Sequence, residues 1–159
     1  MTDSTRPMLV GQAPARTTEG RGAFEGPSGV RLAGMLGVTL RELLGAADRV
    51  NLLDHYPGAH PTAPSGDAFP VDEGRVAAAA LMPGLAGRDV LLAGRAVASC
   101  FRVAAPYFEW REHEAGFSAC VIPHPSGASR YWNDPTRRRF ACARLLGILG
   151  LVPAQKEMF

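Results

Sequence analysis

Short apolar runs alternate along the chain with segments in which apolar residues recur at helical spacing. The runs are brief and end at glycine, proline or polar residues, which is typical of buried strands. They predict four strands, over residues 8–10, 50–53, 89–93 and 117–122. The segments of helical spacing predict helices over residues 28–36, 39–44, 75–82, 95–102 and about 135–149. Proline and glycine accumulate over residues 56–70, which indicates a long loop.

Two of these helices begin with residues that stabilise a helix N-terminus. Thr39 is followed three positions later by Glu42, and such a pair forms a capping box, in which each side chain bonds to a backbone N–H group of the other residue. Asp134 precedes Pro135, and an acidic cap followed by proline is typical of a first helical turn. We therefore expect helices to begin at these two points.

The alternation of strands and helices predicts an α/β fold. Parallel strands joined by helices form a central sheet that is covered on both faces, so we expect one domain over residues 1–159. Its architecture would be a three-layer αβα sandwich with a mainly parallel four-stranded sheet. Ligands of such sheets bind beyond the carboxyl ends of the strands. The loops that follow Val10, Leu53, Ala93 and Ile122 are therefore the candidates for a binding site.

Charge is unevenly distributed, although the formal net charge is only +2. After Glu114, Asp134 is almost the only acidic residue before Glu157. The same stretch contains a cluster of arginines, namely Arg130, Arg137, Arg138, Arg139 and Arg144. A local basic face attracts phosphates even on a nearly neutral protein, but an arginine-rich solvated helix has the same pattern. Charge alone leaves both interpretations open.

The cysteines and the apolar stretches indicate which cofactors and which cellular compartment to expect. The three cysteines, Cys100, Cys120 and Cys142, form no C-x-x-C pair, which argues against zinc and iron–sulfur sites and favours free thiols in a reducing cytosol. The longest apolar stretches are too short to span a membrane, and residues 1–7 are polar, unlike a signal peptide. We therefore expect a cytoplasmic protein without a metal or other cofactor.

Two loops and two residues between them resemble one known family. The first loop contains Gly11-Gln12-Ala13-Pro14, and the last contains Pro123-His124-Pro125-Ser126. Members of the uracil-DNA glycosylase superfamily have G-[QE]-x-P after the first strand and H-P-S after the last, in this order. Asn51 matches their base-reading asparagine, and Phe24, in G-A-F-E-G, is similar to the phenylalanine on which uracil stacks in the iron–sulfur families. The matches span nearly the whole chain.

The resemblance implies a monofunctional DNA glycosylase that acts on a deaminated base, for which we expect uracil, and leaves an abasic site. Such an enzyme takes the base out of the stack and recognises its edge in a tight pocket. Asn51 and Phe24 would recognise the base, His124 would stabilise the departing anion and Gln12 would position water. Gly11 and Ala13 would complete the pocket.

The same resemblance implies contacts with the DNA backbone from the loop after His124. Ser126, Gly127, Ser129 and Arg130 would hold phosphates there, since small residues in such loops commonly do so. Family members often have a bulky apolar residue where this chain has Ala128. That residue fills the gap that the flipped base leaves in the DNA stack, and Arg130, Tyr131 or Trp132 can fill it here instead. Alternatively, the two aromatic residues pack at the start of the last helix.

The chain departs from the family at its usual carboxylates. Ala13 stands where the best-known members have aspartate, and Gln12 stands where the iron–sulfur families have glutamate. This A-P-A sequence resembles a family type that works without a carboxylate in the motif. The candidate replacement acids are Glu19, Glu25 and Asp54, and Asp54 is favoured because it follows the second strand.

Three functional hypotheses therefore remain open from the sequence. The first is the glycosylase, which we expect to be a monomer associated with the nucleoid, with DNA as its partner. The second is a protein of the same fold that binds a base or damaged DNA without cleavage, which the missing carboxylates favour. The third is an unrelated nucleotide-binding α/β domain, which would lack a salt-dependent affinity for oligonucleotides.

Overall fold

A computed structural model describes residues 5–16, 20–58, 69–127 and 129–154. Its strands are β1 (Met8–Gly11), β2 (Asp48–Asn51), β3 (Asp89–Ala93), β4 (Trp110–Glu112) and β5 (Ser118–Ile122). Its helices are α1 (Pro27–Leu36), α2 (Leu40–Ala46), α3 (Val71–Leu81), α4 (Arg95–Cys100) and α5 (Pro135–Leu149). Short 3-10 turns cover Met82–Gly84 and Arg130–Asn133. Within the described residues, no helix is both long and apolar enough to cross a bilayer.

The strands form one sheet in the order β2-β1-β3-β5-β4. β1 pairs in parallel with β2 and β3, and β3 pairs in parallel with β5. Gly11 lies opposite Asn51, and Ala93 lies opposite Ile122. Because parallel strands end at the same edge, these four residues bring the loops that follow them together.

Alternate residues of the strands face two separate apolar cores. Leu9 and Leu91 pack in one core with residues of α1, α2 and α5. Val10 and Leu92 pack in the other with residues of α3 and α4. Side chains of a strand alternate between its faces, so each helical layer covers one face of the sheet. The predicted αβα sandwich with a mainly parallel sheet is confirmed.

The sheet has a fifth strand that the hydrophobic pattern does not predict. β4 pairs antiparallel with β5 at the edge of the sheet, and its residues are half-buried or exposed. A short edge strand with a polar sequence lacks the apolar run that identifies a buried strand. β2 also begins at Asp48, earlier than predicted, and ends at Asn51. Hydrogen bonds nevertheless continue past its end, from the N–H of Leu52 to the Gly11 carbonyl (3.0 Å).

The two predicted helix starts are confirmed. Thr39 and Glu42 form the capping box, with the Glu42 N–H donating to Thr39 Oγ1 at 3.1 Å. The Asp134 carboxylate accepts from the Thr136 N–H at 2.8 Å and from the Arg137 N–H at 3.1 Å. Helix α3 begins at Val71 rather than at residue 75. Gly74 interrupts the apolar pattern there, yet it is buried inside the helix.

We expect Gly29→Ala to destabilise the protein. A Cβ at Gly29 would lie 1.7 Å from the carbonyl oxygen of Phe24, so the preceding loop must move away from α1. Overpacking of this kind costs about 1–3 kcal/mol of unfolding free energy, which urea denaturation measures. The control is Gly34→Ala in the same helix, where a Cβ meets nothing within 4 Å. That variant should gain about 0.5–1 kcal/mol; equal changes in both variants would contradict the close contact.

Candidate functional site

A cavity of about 370 Å³ lies at the carboxyl edge of the parallel strands. It is enclosed by the loops after β1, β2 and β5 and by the start of α1. Its lining residues are Gly11, Gln12, Ala13, Pro14, Ala15, Gly22, Phe24, Gly26, Pro27, Ser28, Asn51, Pro57, His124, Ser126 and Ser129. This volume lies within the range of small-molecule binding sites. The three segments that the sequence singled out therefore meet at one place.

Asn51 and Phe24 converge on Gly11. Asn51 ends β2 directly opposite Gly11, so the strand pairing brings its side chain to the cavity. A Cβ at Gly11 would lie 2.5 Å from Asn51 Oδ1 and 3.0 Å from ring atoms of Phe24. Only a residue without a side chain leaves room for both groups at the end of β1. An amide and an aromatic ring therefore line the same part of the cavity.

Phe24 is held in an unusual backbone conformation. Its φ is 62°, in the left-handed region, a conformation that costs about 1–3 kcal/mol and persists only when surrounding contacts impose it. Neighbouring contacts do so here. The Gly22 N–H donates to Glu25 Oε2 at 2.7 Å, and the Arg49 side chain donates to the Ala23 carbonyl at 2.6 Å. Phe24 is only 8% exposed.

The ring of His124 is oriented by its own loop. The Ser126 N–H donates to His124 Nδ1 at 3.1 Å. When Nδ1 of a neutral imidazole accepts a hydrogen bond, the ring proton is on Nε2, and Nε2–H is a donor. The loop therefore selects the tautomer that can donate from Nε2, a consequence that the H-P-S motif does not itself reveal.

Gly94 provides the space in which His124 lies. It follows β3 with a φ of 96°, and its N–H donates to the Ile122 carbonyl at 2.8 Å. A Cβ at this position would lie 3.2 Å from His124 Cβ and 3.5 Å from Cδ2. The sequence contains a signal for this position, because a glycine directly after a buried strand indicates a backbone conformation that other residues rarely adopt. Its role for the histidine becomes apparent only when β3 and β5 are side by side.

Trp132 fixes the backbone of the histidine loop. Its indole N–H donates to the His124 carbonyl at 2.8 Å, and the side chain is 1% exposed. Tyr131 packs edge-on against Trp132 and Tyr107, with ring centroids 5.6 and 5.3 Å apart. Of the two interpretations of these aromatics, packing at the start of α5 agrees with their positions.

Comparison with protein families provides independent information about this arrangement. The family model of the uracil DNA glycosylase superfamily matches residues 1–145, which include all the segments around the cavity. This chain belongs to the uracil DNA glycosylase superfamily. A search of curated proteins found no matching relative. Superfamily membership supports a DNA glycosylase type of function, in the hydrolase class, and a general link to base excision repair.

In this superfamily member, no carboxylate of a described residue lines the cavity. The Asp54 side chain is 99% exposed and accepts from His55 Nδ1 at 2.9 Å, a hydrogen bond that holds the Asp54 pKa below its usual value. Glu25 binds the Gly22 N–H and lies 3.7 Å from Arg49. The structure therefore does not bring the favoured replacement acid, Asp54, into the cavity. Glu19 lies outside the described residues.

The loop after His124 borders the mouth of the cavity. Ser126 and Ser129 line it, and the Ser129 N–H donates to the Ser126 carbonyl at 3.2 Å. Gly127 and Arg130 are exposed beside them. Ala128, the expected wedge position, lies outside the described residues, as does most of the loop over residues 56–70. Of the three alternative wedge residues, Arg130 is the exposed one.

The thiols of this glycosylase-superfamily protein lie away from the cavity lining. Burial raises the pKa of Cys120 to about 11 and also raises the pKa values of Cys100 and Cys142. Among the described residues, no three His, Cys, Asp or Glu side chains lie together as metal ligands would. The described polar side chains that line the cavity carry amide, imidazole and hydroxyl groups.

We expect Trp132→Phe to destabilise the protein by loosening the histidine loop. The substitution leaves the His124 carbonyl without its indole donor, which costs about 1–3 kcal/mol for a buried group. Urea denaturation measures this loss, and amide hydrogen exchange should show faster exchange at Ser126. The matched control is Trp110→Phe on the edge strand, where no hydrogen bond from the indole is found among the described residues. A similar loss in both variants would argue against a specific role of Trp132.

Proposed function

We propose that this protein hydrolyses the N-glycosidic bond of uracil in DNA, releasing the base and leaving an abasic site. The observation that supports this function best is the convergence of Asn51, Phe24 and His124 on one cavity at the carboxyl edge of the sheet. These residues come from three distant segments, and membership of the superfamily supports glycosylase chemistry for the fold that unites them. No metal participates in the proposed reaction, which would take place at the nucleoid.

Asn51 and Phe24 would recognise the base. The asparagine amide offers a donor and an acceptor, which match O4 and N3–H of uracil. The Phe24 ring supplies a face for stacking, and base–aromatic stacking contributes about 1–3 kcal/mol per base. Gly11, between them, lets the base approach the end of β1, and Ala13 borders the same space.

His124 would stabilise the leaving group. As the bond between C1′ and N1 breaks, its electron pair moves onto the uracil ring, and negative charge develops on O2. The Nε2–H group donates to this oxygen, and preorganised donors of this type are often the largest contribution to catalysis. Water then adds to C1′ of the positively charged sugar, and the proton that it loses passes through solvent to the uracil anion, so that neutral uracil and an abasic sugar are the products. Gln12 would orient that water through its amide.

The lack of a carboxylate among the described residues of the cavity favours a second candidate function, recognition without cleavage. Incubation with strands that contain uracil, hypoxanthine or xanthine, followed by alkali, distinguishes the two functions. A glycosylase produces alkali-labile sites, whereas a binding protein shows base-dependent affinity without product. Affinity for neither modified nor normal DNA would contradict both.

We expect His124→Ala to slow single-turnover cleavage of a uracil-containing oligonucleotide by about two orders of magnitude or more, because a donor to the developing anion is removed. His113→Asn is the matched control. His113 lies on the turn before β5, at the opposite edge of the sheet, and its Nδ1 likewise accepts an N–H two residues later, at 3.0 Å. Circular dichroism verifies that both variants fold. An unchanged rate in His124→Ala would remove this residue from the mechanism.

We also expect Gly11→Ala to impair cleavage. Its Cβ would displace the Asn51 amide and the Phe24 ring, and misplacement of binding groups by about 1 Å can cost about 100-fold in rate. Gly45→Ala in α2, where a Cβ meets nothing within 4 Å, provides the control. Cleavage at the normal rate by Gly11→Ala would show that the base binds elsewhere.

A further inference from the structure

A second groove lies between α1 and α5, outside the cavity. Arg31 of α1 and Arg138 and Arg139 of α5 line it, together with the apolar side chains of Met35 and Leu146. All three arginines are exposed. No carboxylate of a described residue lines the groove, so its surface is positively charged.

These arginines differ in their surroundings from five other arginines of the protein. Those five form ion pairs: Arg6 and Arg88 with Asp48, Arg49 with Glu25, Arg75 with Asp72, and Arg111 with Glu109. In the described part of the chain, no such pair involves the three groove arginines. Helices α1 and α5 contain no acidic residue, and the Asp134 carboxylate that precedes α5 is occupied by backbone N–H groups. Like charges that lack a counter-charge repel each other, and an anionic ligand would offset that repulsion.

Arg31 places one end of the groove beside the residues of the cavity. Ser28, at the start of α1, lines the cavity, and Arg31 follows three residues later, on the same side of the helix. Arg31 Nη1 also lies 3.7 Å from the position that a Cβ of Gly127 would occupy. Gly127 belongs to the loop that contains His124 and Ser126. A polymer with one unit in the cavity would therefore pass Arg31 if it followed α1 away from the cavity.

We propose that the α1–α5 groove binds backbone phosphates of the DNA strand next to the nucleotide in the cavity. Guanidinium groups bind phosphate oxygens with two parallel hydrogen bonds, and three exposed guanidinium groups without neighbouring described carboxylates suit a chain of phosphates. The inference rests on the proposed function in taking DNA as the ligand, but it does not require cleavage. It extends the predicted phosphate contacts from the loop after His124 to a helical surface.

The test compares Arg138→Gln/Arg139→Gln with Arg75→Gln/Arg102→Gln. Both double variants remove two positive charges, but Arg75 is on α3 and Arg102 follows α4, on the other face of the sheet. Fluorescence anisotropy measures the affinity for undamaged single-stranded and duplex oligonucleotides between about 50 and 200 mM salt. The slope of log K against log salt is negative. Its magnitude should fall by about 0.7 for single strands, or about 0.9 for duplex, for each phosphate that is no longer neutralised. Only the groove variant should show this change; equal slopes in the two variants would overturn the proposal.

Cleavage assays separate this inference from the proposed function. If the protein cleaves uracil-containing DNA, the groove variant should need a higher enzyme concentration for half-maximal single-turnover rate, with an unchanged maximal rate. If the protein does not cleave, the anisotropy measurements still decide whether the groove binds phosphates. If both variants cleave normally and have identical salt slopes, the proposed function is supported, and phosphate binding by the α1–α5 groove is contradicted.

Discussion

The parallel pairing of β1 with β2 and β3 is the constraint on which the cavity depends. It places Gly11 opposite Asn51 and brings the loops after β3 and β5 to the same edge. Because Gly11 has no side chain, the Asn51 amide and the Phe24 ring can both approach the end of β1. A shift of the register by one residue would turn Asn51 toward the opposite face of the sheet, and the cavity would lose its amide group.

The polar and aromatic groups of the cavity are held by backbone geometry more than by one another. His124 receives the Ser126 N–H on Nδ1, and its carbonyl receives the Trp132 indole. Phe24 has a left-handed conformation that its loop imposes. Groups fixed in advance need little reorganisation when charge develops, which is what stabilisation of a leaving anion requires. The proposed glycosidic bond cleavage would rely on such groups and on no carboxylate of the described lining residues.

The helices on the two faces of the sheet differ in their charged residues. Helix α3 contains Asp72 and Glu73, and an ion pair neutralises Arg75 there, whereas α1 and α5 contain arginines and no acidic residue. A polyanion would therefore be attracted to the face formed by α1 and α5. The formal net charge of +2 alone does not indicate this preference. Of the two interpretations of the arginine cluster that the sequence left open, the lack of acidic residues in α1 and α5 favours a phosphate-binding face.

The sequence by itself determined the αβα architecture, the capping of α2 and α5, and the membership of the superfamily, because apolar periodicity, caps and short motifs are local signals. Only the tertiary structure decided which side chains meet. The short polar strand β4, the contact of Gly94 with His124 and the exposure of Asp54 all depend on the pairing of distant segments. Local patterns predict elements, but the distance between two side chains is set by the register and packing of the strands that carry them.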